Sequence, residues 1–174
     1  MSIPEVLYLF LPAFVANGAP VVARKIPGIT SWTTPICVRA FGANKTYRGF
    51  AVGVASAIVT ALVQFSLRNQ WIFKELTELH NSLGQSALVG FLLGFGALFG
   101  DLVKSFVKRR IGIAPGQAWP VLDGIDYILG AALFILPLYK ASLMDIVVLI
   151  VAAPLLSLLA NSVSFVLGWK DVWY

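Results

Sequence analysis

Three carboxylates and a run of cations crowd one stretch of the chain, GDLVKSFVKRRIGIAPGQAWPVLDGIDY, from Gly100 to Tyr127. On a helix, Asp101, Ser105 and Lys108 fall on one face by i+4 and i+3 steps, with Arg109 at its edge. A Gly/Pro-rich turn, IGIAPGQAWP, follows, and Asp123 and Asp126, spaced i and i+3, then share a face of the next helix. Three acids near one edge suggest Mg²⁺, which takes oxygen ligands and is usually bound by one or two carboxylates together with substrate phosphates. Lys45, Arg48, Lys108, Arg109 and Arg110 supply positive charge for the phosphate that remains. Phosphoryl and nucleotidyl transfer ask for little more than such positioning and electrostatic stabilisation. The plainer reading is that Asp101 pairs with Lys104 or Lys108 on a helix surface and that Asp123 is a helix N-cap; exposed pairs of that kind contribute little.

A second polar cluster, GANKTYRGF, runs from Gly42 to Phe50. Asn44, Lys45, Thr46 and Arg48 stand between glycines, which let backbone approach a ligand closely, and Lys and Arg match phosphate charge. The G-x-x-x-x-G-K-[ST] spacing of a Walker A loop is absent. Alone, the cluster also suits a basic juxtamembrane loop touching anionic lipid headgroups.

The elements that must position these residues are read from hydropathy. Of 174 residues 59% are apolar and only 12% charged, about half the charged share of a soluble domain, and the mean hydropathy is +0.85. The chain therefore reads as one all-α, polytopic membrane domain spanning 1–174. A spanning helix needs about 20 apolar residues. The runs predict five transmembrane helices, at about 4–23, 49–68, 80–103, 121–139 and 144–168. The fourth apolar run is short, and extending it brings Asp123 and Asp126 to the membrane edge, where carboxylates should face a wet cavity or a cation. Gly90, Gly94, Gly96 and Gly100 predict a face for close helix packing on the third span. The first apolar run has no Lys or Arg before it and its first charge is Glu5, which suits a retained helix better than a cleaved signal.

The loops order these spans. From Arg24 to Arg48 there are five basic residues and no acid, and the first and third loops with the tail hold ten of the thirteen Lys and Arg. The positive-inside rule puts both polar loops and the C-terminus in the cytoplasm and the N-terminus outside. The net charge of +5 is accounted for by this topology, with no nucleic-acid partner. A single cysteine, Cys37, makes neither an internal disulfide nor a zinc site. His80 lies among Glu75, Glu78 and Asn81 and reads as a loop residue.

The segment Gly100–Tyr127 resembles the signature of the membrane CTP-dependent cytidylyltransferases, the CDP-diacylglycerol synthase superfamily. That pattern has an Asp, a Ser, a Lys-Arg pair, a Pro-Gly turn and two Asp three apart; here they are Asp101, Ser105, Lys108–Arg109, Pro115–Gly116, Asp123 and Asp126. Lys45, Thr46, Tyr47 and Gly49 resemble the family's Lys-Thr-aromatic-acid-Gly motif. The chain departs at Arg48, which replaces the acid, and at Gln117, Ala118 and Trp119, which stand where His-Gly-Gly is usual. Gly124 replaces a basic residue, and the stretch to Asp123 is one residue longer. These departures, with LPAFVANGAPVV near the start and NSVSFVLGWKDVWY at the end, look more like the archaeal branch, the CDP-archaeol synthases.

The resemblance implies a reaction in which CTP and 2,3-di-O-geranylgeranylglyceryl phosphate, an isoprenoid ether lipid phosphate, give CDP-archaeol and pyrophosphate. It implies Mg²⁺ on Asp123 and Asp126 with Asp101 as a further ligand. Asn44, Lys45, Thr46, Arg48, Asp101 and Ser105 would contact CTP, and Lys108 and Arg109 would hold phosphates beside the catalytic aspartates. Asn17 and Asn161 either line the polar cavity or hydrogen-bond between helices, the second being preferred. The expected setting is a multi-pass enzyme of the cell membrane, in contact with membrane lipids, its site facing the cytoplasm.

Three other classes share features with this pattern. A CTP-dependent polyprenol or phytol kinase would release CDP instead of pyrophosphate. A small ion channel or transporter would place its acids near mid-membrane, not at span ends beside basic clusters. A CDP-alcohol phosphotransferase would begin at Asp123–Gly124 but needs further aspartates, and none follows Asp126 before Asp145.

Overall fold

The structure, a computed structural model, describes residues 1–71, 73–76, 82–117, 119 and 122–168. His80 and the tail charges Lys170 and Asp171 lie outside the described residues. Among the described residues the chain is helical, with one isolated bridge between Pro35 and Thr46. The helices are α1 (Ile3–Leu9), α2 (Leu11–Ala23), α3 (Val38–Phe41), α4 (Tyr47–Leu67), α5 (Leu83–Arg110), α6 (Leu122–Ile135) and α7 (Leu143–Val166).

Local chemistry sets their ends. Thr46 accepts from the Gly49 N–H at 3.1 Å, Ser82 from Gln85 at 3.1 Å and Ser142 from Asp145 at 3.2 Å, each satisfying a donor that a first turn leaves free. Asp145 returns the bond to Ser142, closing a capping box. Lys108, Arg109 and Arg110 occupy the last turn of α5, where cations suit the helix dipole.

Three helices, α4, α5 and α7, are long and apolar enough to cross a membrane; α1 and α2, bent by 45° at Phe10, make a fourth if they form one span. The expected 4–23 span is thus broken, and the expected 80–103 span runs on: α5 reaches Arg110, so the acid and its basic partners sit on the last three turns of one helix. The expected 121–139 span is shorter. Pro137 has no N–H to donate and disfavours helical geometry before it, and α6 stops at Ile135. Its fourteen residues cover about 21 Å of a core roughly 30 Å thick.

The core is built of Phe10, Ala13, Ala16, Ala57, Leu93, Ala97, Tyr127, Ile128, Ala131 and their neighbours. Small residues dominate, so helices meet backbone to backbone. Gly90, Gly94, Gly96 and Gly100 of α5 serve two contacts and not the single face expected. A Cβ on Gly90 would lie 2.8 Å from the Ala57 carbonyl oxygen of α4, whereas one on Gly96 would lie 2.6 Å from that of Gly130 on α6. Gly94 meets Ala57 like Gly90, and Gly100 abuts the Asp126 carbonyl. The division follows from helix geometry, since two residues turn the chain by about 200°. Polar bonds add to this frame: Gln64 donates to the Tyr8 carbonyl at 2.6 Å, and the Tyr127 hydroxyl donates to Ala153 O while accepting from Ser157, both at 3.1 Å.

Gly100→Ala puts a methyl against the Asp126 backbone. Overpacking of this kind costs about 1–3 kcal/mol, so the variant should melt below the parent in detergent. An unchanged melting temperature would show that α5 and α6 are not in this register.

Candidate functional site

The close approach of Gly100 to Asp126 brings their neighbourhoods together: Asp101 and Lys104 from α5, Asp123 and Asp126 from the first turns of α6. The first loop joins them. Its Thr46 cap starts α4, and Lys45, one residue earlier, donates to Asp101 Oδ2 across 56 positions of sequence. Both polar clusters therefore occupy the same end of the helix bundle.

Lys104 is the centre of the site. Its ammonium lies 3.2 Å from Asp101 Oδ1, 3.1 Å from Asp123 Oδ1 and 2.9 Å from Asp126 Oδ2. Lys108 Nζ lies 3.2 Å from both Asp123 oxygens and also donates to the Gln117 carbonyl. Asp123 is the second residue of α6 and not its N-cap as the plainer sequence reading had it; its Oδ2 accepts from the Trp119 N–H ahead of the helix. Asp126 is different. Its side chain is 7% exposed, and its close cation is the Lys104 ammonium, 2.9 Å from Oδ2.

A cavity of about 1080 Å³ opens beside this cluster, lined on its polar side by Asn17, Asn44, Lys45, Lys104, Ser105, Lys108, Arg109, Gln117, Asp123 and Asn161. Arg109 Nε and Nη1 are buried there without hydrogen bonds. A smaller apolar recess, about 340 Å³, lies between Phe99, Val103, Val107, Leu122, Leu129 and Leu133, with Lys104 and Asp126 on its wall.

Of the residues expected at the site, Asn44, Lys45, Ser105, Lys108 and Arg109, with the expected metal ligand Asp123, line the large cavity. Thr46 and Arg48 do not. Thr46 caps α4, and Arg48, 6% exposed, donates Nη1 to the carbonyls of Ile29 and Thr30 at 3.2 and 2.7 Å. Asp101 meets Lys45 and Lys104. Asn17 and Asn161 line the cavity, the second-placed of their two readings. Cys37 is exposed and free. Sequence reasoning passed over Lys104, treating it only as a surface partner of Asp101. The available signal was its spacing: three residues after Asp101 and four before Lys108, on the same helical stripe.

The acids meet on the Lys104 ammonium, not on one another: among the described residues no three carboxylate, His or Cys side chains converge as a ready-made metal group. The three-carboxylate Mg²⁺ set expected from the sequence is therefore not assembled as such. The residues still fit a cation. An ammonium already stands among the three acids, and Asp126 presents two buried oxygens whose close cation is that ammonium, the kind of ligand that magnesium completes with substrate phosphates.

A cavity walled by cations at one end of a bundle that is helical among the described residues, next to carboxylates suited to a cation, is the arrangement that an intramembrane enzyme acting on phosphate esters requires. The family model for CDP-archaeol synthase matches residues 2–174. The CDP-archaeol synthase of Thermococcus onnurineus is 36% identical over 178 residues, 99% of each chain. That of Methanococcus aeolicus is 33% identical over 98% of this chain and 99% of its own. A solved structure of an intramembrane enzyme for archaeal membrane lipids biosynthesis matches with a TM-score of 0.68 at 31% identity, over 92% of this chain and 94% of its own. The chain belongs to the CDP-archaeol synthase family, and its activity is that of a nucleotidyltransferase.

Arg48→Met removes both bonds to the Ile29–Thr30 turn. Leaving part-buried carbonyls unsatisfied costs about 1–3 kcal/mol, so thermal stability should fall. A variant as stable as the parent but with a raised KM for CTP would instead make Arg48 a direct nucleotide contact.

Proposed function

We propose that the cationic cavity is where CTP and 2,3-di-O-geranylgeranylglyceryl phosphate react to give CDP-archaeol and pyrophosphate. The reading is carried by one observation: Lys45 of the first loop and Lys104 and Lys108 of α5 converge on the acids of α5 and α6 at the rim of a cavity large enough for a nucleotide.

In this reading a lipid phosphate oxygen attacks the α-phosphorus of CTP, and the bond from that phosphorus to the bridging oxygen of the β-phosphate breaks. The electron pair leaves with pyrophosphate. The attacking phosphate is already an anion, so no general base is needed. Lys45, Lys108 and Arg109 hold the triphosphate and stabilise the charge that grows on the leaving group. Asn44 and Ser105 offer hydrogen bonds to the nucleotide. Asp126, with Asp123 and Asp101, would hold Mg²⁺, whose chemistry is to orient the triphosphate and offset its charge. The apolar side of the same cavity, Val15 and Val22 of α2 with Leu156, Leu159 and Val163 of α7, suits isoprenoid tails.

The same reading places the protein as a multi-pass enzyme of the cell membrane. α1–α2, α4, α5, α6 and α7 form five membrane-embedded segments, and the site faces the cytoplasm, as the basic loops favour.

The test uses CTP labelled at the α- or the γ-phosphorus with Mg²⁺ and a panel of lipid phosphates and lipid alcohols. Label should enter lipid only from the α-position and only with a lipid phosphate. Transfer from the γ-position to an alcohol would make the protein a kinase. Asp123→Asn and Asp126→Asn should each lower turnover by roughly 10²-fold or more while the protein remains monodisperse in detergent. Parental turnover in either variant removes that residue from the mechanism.

A further inference from the structure

Lys104 has no role in the reaction just described, yet it is ion-paired to three carboxylates at once. It touches one oxygen of each of three aspartates, its side chain is 13% exposed, and it lines both the polar cavity and the apolar recess. Asp101, Asp123 and Asp126 carry three negative charges, and Lys45, Lys104 and Lys108, all in contact with them, carry three positive ones. A divalent cation arriving alone would meet a cluster that is already neutral, with an ammonium among its ligands. An ammonium pushed off three carboxylates at a part-buried site needs another anion, since an unpaired charge there is costly. The cavity that Lys104 lines is where a triphosphate would supply one.

We propose that Lys104 is a positioning residue that acts as a built-in counter-cation: it holds the three carboxylates in place and yields them to a divalent metal only when nucleotide phosphates arrive to receive its ammonium. Metal and nucleotide then bind as a coupled pair, each raising the affinity of the other by the same factor. This rests on the reading of the cavity as a metal- and CTP-binding site, and it assigns the chain's own lysine the task of keeping metal from loading alone. Asp126 supports it: Lys104 is its close cation, 2.9 Å from Oδ2, and this buried carboxylate would be left uncompensated once the ammonium moved away.

The experiment measures Mn²⁺ binding to the purified full-length protein in detergent by electron paramagnetic resonance, with and without CTP and without lipid substrate. In the parent, Mn²⁺ should bind weakly alone and roughly tenfold or more tighter with CTP, within the usual range of coupling between sites. In Lys104→Met, Mn²⁺ alone should bind about tenfold tighter than in the parent, and the gain on adding CTP should shrink. Lys104→Gln, which keeps a donor but loses the charge, repeats the measurement should the Met variant fail to fold, and Lys104→Arg should behave as the parent. A lysine with a purely structural role would not make metal bind better when it is removed. Mn²⁺ affinity without CTP that is equal in parent and charge-removed variants, or an undiminished CTP effect, overturns the proposal. Label transfer from CTP to lipid phosphate by the parent is scored separately, so this proposal can fall while the assigned reaction stands.

Discussion

The polar end of this protein depends on one arrangement of charge: the Lys104 ammonium among Asp101, Asp123 and Asp126. Carboxylates held at the edge of a low-dielectric bundle are expensive unless they are paired. Here three acids from two helices share three lysines from α5 and the first loop. The pairing is also topological. Lys45 ties the loop to α5 through Asp101, while Lys104 and Lys108 tie α5 to the start of α6, so losing one member leaves a charge exposed to the apolar interior. A cluster of this kind holds the loop, the long helix and the short helix in fixed relation without burying much apolar surface, which suits a site whose walls must stay polar.

The apolar frame makes that cluster possible. Gly96, Gly100 and Gly130 let α5 and α6 approach until main chain meets main chain, as small residues do wherever helices pack without a hydrophobic driving force. The contact falls at Gly100 and Asp126, so the next residue on α5, Asp101, and the side chain of Asp126 lie within reach of one lysine. Bulkier residues at these positions would move α6 outward and carry its acids away from Lys104. Alanines and glycines here are therefore part of the site's geometry even though none of them meets a ligand.

Much of this was legible in the sequence. Hydropathy gave α4 and α7 nearly to the residue, and the i+3 and i+4 steps from Asp101 to Ser105 and Lys108 gave the polar stripe of α5 from which Ser105 and Lys108 line the cavity. What stayed hidden depends on distance through space. Spacing alone does not tell a lysine on a helix surface from one enclosed by three acids, so Lys104 looked like an ordinary i,i+3 partner of Asp101. The bend at Phe10 is marked only by Pro12, which has no N–H to offer the Tyr8 carbonyl and sits in the first turn of α2, and hydropathy alone reads straight through it. The stop at Pro137, by contrast, was written in the chain, but a need for about twenty apolar residues argued for reading past it. The glycines of α5 were recognised as a packing device, yet their division between α4 and α6 shows only when the partner helices are in place.

Arg48 shows how a departure from a family motif can be absorbed. At its position the related motif carries an acid, and a charge reversal beside a nucleotide would ordinarily alter the binding of phosphate. Here the guanidinium instead donates to the carbonyls of Ile29 and Thr30, folding the long basic loop back onto the start of α4. The neighbouring Thr46 is spent on the helix cap, which leaves Lys45 as the one cation of that motif that lines the cavity. The cavity's positive wall is completed from α5, by Lys104, Lys108 and the unbonded Arg109. The cavity's cations thus come from one helix more than from a loop, and the loop's part is to deliver a single lysine to Asp101. That division follows from the covalent reach of the chain: the residue directly before a capped helix is fixed as firmly as the helix itself, whereas residues within it turn to whatever the surrounding loop leaves unsatisfied.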